Sequence, residues 1–203
     1  MENFNFLFQI AVLIFSVVIH EISHGYAARA QGDPTAEYRG RLTLNPFAHL
    51  EVFGSFLVPL ISYLAGSFII GWAKPVPYNP YNLKFKRWGE ALVALAGPAS
   101  NLLVALLFGL IIRFGFGTLS PSFIAISATI VFINVLLAVF NMVPIPPLDG
   151  SKVLFSILPQ RFLSVRESLE RYGLFFALLF LFFFWQFVTP AVSVIFTLIT
   201  GLS

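Results

Sequence analysis

Cysteine is absent from the 203-residue chain, which excludes a disulfide scaffold and a Cys-ligated zinc fold. Any metal site must therefore be built from His, Asp and Glu. Charge is scarce too: 10% of residues are Asp, Glu, Lys or Arg, where a soluble domain carries roughly a quarter. No Lys or Arg precedes Arg29, and the first apolar run ends in no small-residue cleavage site. That run is read as a retained membrane helix, not a secretory leader. What fills the chain instead is apolar: 58% hydrophobic residues, 25 Phe among them, and a mean hydropathy of +0.88. Lipid is the solvent for most of it. The length allows one membrane-embedded domain over residues 1–203, with a core at 4–160 and a C-terminal hydrophobic segment at 172–203. The net charge of +3 comes from basic residues scattered beside apolar spans. This fits the loops of a membrane protein and does not imply nucleic acid.

A spanning helix needs about 20 mainly apolar residues. Runs of this kind lie at 4–30, 52–70, 91–113, 123–143 and 172–188. Gly97-Pro98 falls near the start of the third. Pro190 is expected to break the last run, leaving 191–202 too short to cross. Pro75, Pro77 and Pro80 favour extended backbone after residue 70. Basic residues collect on the cytoplasmic side. If 52–70 were a full span, Lys84, Lys86, Arg87 and the later basic cluster would fall outside. If residues 52–80 dip in and return, 11 of the 12 basic residues face the cytoplasm and only Arg113 does not. The expected fold is an all-α polytopic membrane protein. It has five to six transmembrane or re-entrant segments and a short membrane-dipping β-strand or hairpin.

The chemistry-bearing residues lie in the first run. His20-Glu21-Ile22-Ser23-His24 puts two of the three histidines of the chain on one helical face, where both can bind one zinc. Glu21 sits beside them as a base for a metal-activated water. The bland reading is a pair of interfacial histidines with a solvated Glu. The cost of placing ionisable groups in a span weighs against it. Counting back from Ala30, the pair lies about 9–15 Å inside the cytoplasmic helix end. Catalytic zinc usually takes three protein ligands. Asp149 is the best third, at a proline-broken helix end before Gly150, which permits a tight turn. Alone, Pro146-Pro147-Leu148-Asp149-Gly150 reads as a loop with a helix N-cap. Beside the histidine pair it reads as a ligand. His49 is expected to be a loop histidine at the interface, and Gly97 and Asn101 to serve close helix packing. The Phe-rich stretch at 175–184 reads as lipid-facing, and 161–171 as an interfacial amphipathic surface.

His20–His24, followed far downstream by Asn141-Met142-Val143-Pro144-Ile145-Pro146-Pro147-Leu148-Asp149-Gly150, resembles the site-2 protease family of intramembrane zinc metalloproteases. It is most similar to small prokaryotic members without PDZ or CBS domains. Gly32-Asp33-Pro34, Asn45-Pro46, Gly71-Trp72-Ala73-Lys74-Pro75-Val76-Pro77 and Gly97-Pro98-Ala99-Ser100-Asn101 match as well, so the resemblance covers residues 10–160. It implies one Zn²⁺ per chain on His20, His24 and Asp149, with Glu21 catalytic. It also implies that Asn141 contacts substrate or stabilises the transition state. An Asn in a membrane helix reads equally as interhelical glue. Residues 71–77 resemble the family's membrane-dipping hairpin. Trp72, Ala73, Lys74 and Val76 are thus expected to hold an unwound substrate by strand addition. The expected partners are membrane-protein substrates and the bilayer. The expected place is the cell membrane, multi-pass, with the active site within the bilayer toward the cytoplasm. The rival reading is a non-proteolytic metal-binding scaffold or carrier. A carrier needs polar groups spaced through the bilayer, whereas these cluster at one depth.

Overall fold

The computed structural model describes residues 2–51, 73–159 and 163–202. The expectations for 52–72, Trp72 and most of the re-entrant unit among them, and for Arg161, lie outside the described residues. The chain forms α1 (Glu2–Ala30), the short α2 (Thr35–Tyr38), α3 (Lys86–Gly115) and α4 (Pro121–Asn141). These are followed by α5 (Asp149–Ile157), α6 (Leu163–Arg171) and α7 (Gly173–Thr200). Two 3₁₀ turns, Pro46–His49 and Pro80–Asn82, punctuate the long connection before α3.

Among the described residues, three helices are long and apolar enough to cross a membrane: Phe6–Ala30, Trp88–Gly115 and Pro121–Asn141. Five to six crossing or re-entrant segments were expected. No β-strand forms among the described residues, and 73–79 are neither helix nor ladder. The cause is local, because Pro75 and Pro77 have no N–H to give a ladder. Pro190 does not end the last helix. α7 runs through it to Thr200, the lost N–H costing one i→i−4 bond in a helix that is otherwise apolar throughout. Pro98 likewise lies inside α3.

Helix α3 is the hub, packing against α1, α4, α5 and α7. Gln31, just past α1, donates to Gly89 O in the first turns of α3, so the two helices run antiparallel. Arg113 at the far end of α3 donates to Leu198 O near the end of α7. Helices α3, α4 and α7 enclose one apolar core of Ala105, Ile112, Val131, Val135, Val188, Val192 and Ile199. Ala28, Leu83 and Val93 form a second, at the other end of α3.

The solvent relation is inverted. Leu13, Phe15, Leu103, Leu107, Phe114 and Leu198 face outward, while Ser16, His20, His24, Asn101 and Asn134 are buried. Such an exterior suits hydrocarbon, and polar side chains at that depth turn to the bundle interior. The polar layer sits between the two apolar clusters.

Candidate active site

The site begins with helical spacing. Ser16, His20 and His24 recur every four residues and share the buried face of α1. α3 crosses that face at Gly97. A Cβ on Gly97 would lie 2.5 Å from His24 Cε1 and 2.6 Å from His20 Nε2, so only glycine lets the backbone come so near the two rings. Each ring is fixed from behind. His24 Nδ1 donates to Val93 O at 2.7 Å, and His20 Nδ1 meets Asn101 Oδ1 at 2.6 Å. With Nδ1 engaged, each imidazole turns Nε2 forward, the usual arrangement of metal-ligating histidines.

What Nε2 faces is Asp149, the first residue of α5. Its Oδ2 lies 3.0 Å from His20 Nε2 and 3.2 Å from His24 Nε2. Tetrahedral zinc with bonds near 2.0–2.1 Å sets its donors about 3.3 Å apart. Asp149 Oδ2 therefore already stands near that spacing from each nitrogen, with the right donor chemistry. Gly150 has a different part from the one its sequence suggests. Its φ is ordinary, and a Cβ there would run into the carbonyl oxygens of Met142 and Val143. It lets the start of α5 sit against the end of α4, which carries Asp149 inward.

Glu21 also stands close, its carboxylate within 4.8 Å of the histidine nitrogens. Two carboxylates thus compete for the third position. Asp149 contacts both Nε2 atoms, whereas Glu21 Oε2 accepts the Val76 N–H at 2.8 Å and stands to one side. Lys152 Nζ lies 3.8 Å from the other Asp149 oxygen and 5.4 Å over the Tyr78 ring. Burial pushes the Tyr78 phenol above its ordinary pKa, against the pull of that ammonium.

Of the remaining expected residues, Lys74 and Val76 are held by the protein itself. Lys74 N–H donates to His49 O, and Lys74 O accepts from Arg41. The N–H groups at 74 and 76 are thus in use. Ala73 is half-buried beside them. Asn141 donates to Leu137 O in its own helix and has no described hydrogen bond to His20, His24 or Asp149. His49 is not an exposed interfacial residue: it is 1% exposed, and its Nε2 donates to Thr43 O. It ties the connection before residue 52 to the one after 72.

Ser16 and Asn134, polar residues in apolar spans, go unassigned in the sequence, and both join Asn101 behind His20. Asn101 donates to Asn134 Oδ1 and Ser16 O. Gly97 was expected only to pack helices, and what it packs against is the imidazole pair.

These features define a class, a helical membrane metallohydrolase in which His20, Glu21, His24 and Asp149 gather at one point. The profile of peptidase family M50 matches residues 8–125 and 117–184, and the chain belongs to that family. Three curated relatives are named as candidate zinc metalloproteases. YwhC of Bacillus subtilis is 34% identical over 193 residues, covering 90% of this chain and 81% of the relative. Rip2 of Mycolicibacterium smegmatis is 33% identical over 145 residues, covering 71% of this chain and 55% of the relative. A third, from Methanocaldococcus jannaschii, is 34% identical over 158 residues, covering 72% of each. No solved structure gives a significant match. The protein is a zinc metalloprotease and a membrane protein.

Proposed function

We propose that the chain is an intramembrane endopeptidase that cuts peptide bonds in or near the transmembrane segments of membrane-protein substrates. The observation that carries this reading is the meeting of Asp149 with His20 and His24 inside a bundle whose exterior suits lipid. His20, His24 and Asp149 would hold the zinc, which would supply Lewis-acid chemistry there, acidifying a water and polarising a carbonyl. Glu21 takes the proton of the attacking water and returns it to the leaving amine.

Substrate and base are coupled through Val76. Its N–H is the donor that an incoming substrate carbonyl needs for strand addition, and Glu21 holds it at 2.8 Å. A substrate strand that docks there displaces the Glu21 carboxylate and turns it toward the reacting water. A further contact of the strand comes from Ala73, since both backbone groups of Lys74 are engaged by His49 and Arg41. Asn141 adds a donor for the oxyanion once its amide leaves Leu137 O. The protein sits in the cell membrane as a multi-pass chain, with the site toward the cytoplasmic side, where Arg29, Arg39 and Arg41 follow α1.

The test is a labelled membrane peptide incubated with detergent-purified protein, with and without chelator. Glu21→Gln is expected to keep zinc and lose at least about 100-fold of cleavage. Full activity in Glu21→Gln would remove Glu21 from the mechanism. Zinc binding with every such peptide left intact would make the protein a metal-binding scaffold or carrier.

A further inference from the structure

We propose that Asn101, held by Asn134 and Ser16, is the positioning residue that sets the tautomer of His20 and so the zinc affinity of the site. The proposal rests on the zinc reading above. Helices α1, α3 and α4 each contribute one side chain to a closed network. Asn101 Nδ2 donates to Asn134 Oδ1 at 2.9 Å and to the backbone Ser16 O at 3.2 Å. Asn134 Nδ2 donates to Ser16 Oγ and to the backbone Ile130 O, both at 2.9 Å. Asn101 and Asn134 are 0% exposed.

The polarity of this network is not free to reverse. Backbone carbonyls only accept, so Ser16 O requires the amide nitrogen of Asn101, and Ile130 O requires that of Asn134. Asn101 must then present its oxygen to His20. An amide oxygen cannot donate, so the proton of the contact lies on His20 Nδ1, which leaves the Nε2 lone pair for the metal. His24 reaches the same state through Val93 O alone. His20 reaches it only through a side-chain relay, and is therefore the ligand that a substitution away from the site can disarm. Two Asn residues that merely glued helices together would have no need to end on an imidazole.

The test uses the full chain in detergent at constant pH, with zinc affinity read by competition with a chelator. Asn101→Leu removes the acceptor at similar volume and is expected to weaken zinc binding by roughly 10–100-fold. Asn101→Asp keeps an oxygen for His20 Nδ1–H but turns its second oxygen on Asn134 Oδ1 and Ser16 O, and is expected to bind zinc more tightly than Asn101→Leu and more weakly than the parent. A second readout needs no metal. ¹⁵N spectra of histidine-labelled apo protein are expected to give His20 as the Nδ1–H form, and a mixture of tautomers in Asn101→Leu. If Asn101→Leu does not fold, Asn134→Leu removes one of the two acceptors that hold the Asn101 amide, and the same two readouts should move in the same direction by a smaller amount, since Ser16 O still holds it. Unchanged affinity with an unchanged tautomer would reduce the network to helix glue and overturn the proposal. If the parent chain itself binds no zinc, the metalloprotease reading fails first, and the tautomer of His20 still decides whether the relay acts.

Discussion

At position 97 a single hydrogen atom keeps the site open. Because a Cβ would sit 2.5–2.6 Å from both imidazoles, Gly97→Ala is expected to push the rings apart. It should lose zinc affinity by more than about tenfold while the helices still form, since Ala is the better helix residue. Metal analysis alongside circular dichroism checks both halves. Asp149→Ala removes the one oxygen shared by the two Nε2 atoms. Zinc content is expected to fall well below one ion per chain after dialysis, with the fold retained. At this scale the sequence was legible where chemistry has a spacing: the two histidines and the intervening Glu could be read from one helical turn. Asp149 could be read only by pairing a proline-broken turn with that motif. Asn141 was not legible, because its amide bonds its own helix and nothing in the sequence reports that. Asn134 went unread for the opposite reason: a lone Asn in an apolar run does not name its partner.

Among the elements, the end of the extended stretch before α3 is pinned by one carboxylate. Asp33 Oδ1 accepts from Thr35 N, Thr35 Oγ and Asn82 Nδ2, and its Oδ2 from Asn79 N. Burial pushes its pKa up, but these hydrogen bonds outweigh that and hold it below the ordinary 3.8. The sign follows from linkage: a depressed carboxylate stabilises the fold above 3.8, and that share is lost as pH falls through the folded value. Acidification below about pH 4 should therefore lower the protection of the Asn79 amide relative to its intrinsic exchange rate at each pH, and Asp33→Asn should flatten that dependence. Helix ends marked by Pro or by a polar break were readable to within a few residues, as at Ala30 and Pro121. The reading at Pro190 failed because proline has two meanings. In α3 and α7 it is carried inside a helix. At 75 and 77 it denies the backbone a ladder.

For the whole molecule, the antiparallel run of α1 and α3 and the return of α4 put residues 31–50 and 73–85 at one end of the bundle. The turn between α3 and α4 lies at the other. The chain has no Cys, so single introduced thiols report unambiguously. Tyr38→Cys and Thr118→Cys are expected to label from opposite faces of sealed vesicles; labelling of both from one face would refute this topology. Composition made the lipid-facing exterior readable, since scarce charge and abundant Phe leave few other solvents. The way α3 serves both the apolar core and the histidine anchors was not readable, because it depends on which face of one helix meets which neighbour. His20 and Asp149 are separated by 129 positions, so at translation speeds of 5–20 residues per second the carboxylate is made about 6–26 s after the imidazole. The nascent chain thus enters the bilayer as a histidine pair without the carboxylate that both Nε2 atoms face in the folded protein. On the proposed reading, a message cut short before codon 149 leaves behind no armed hydrolase.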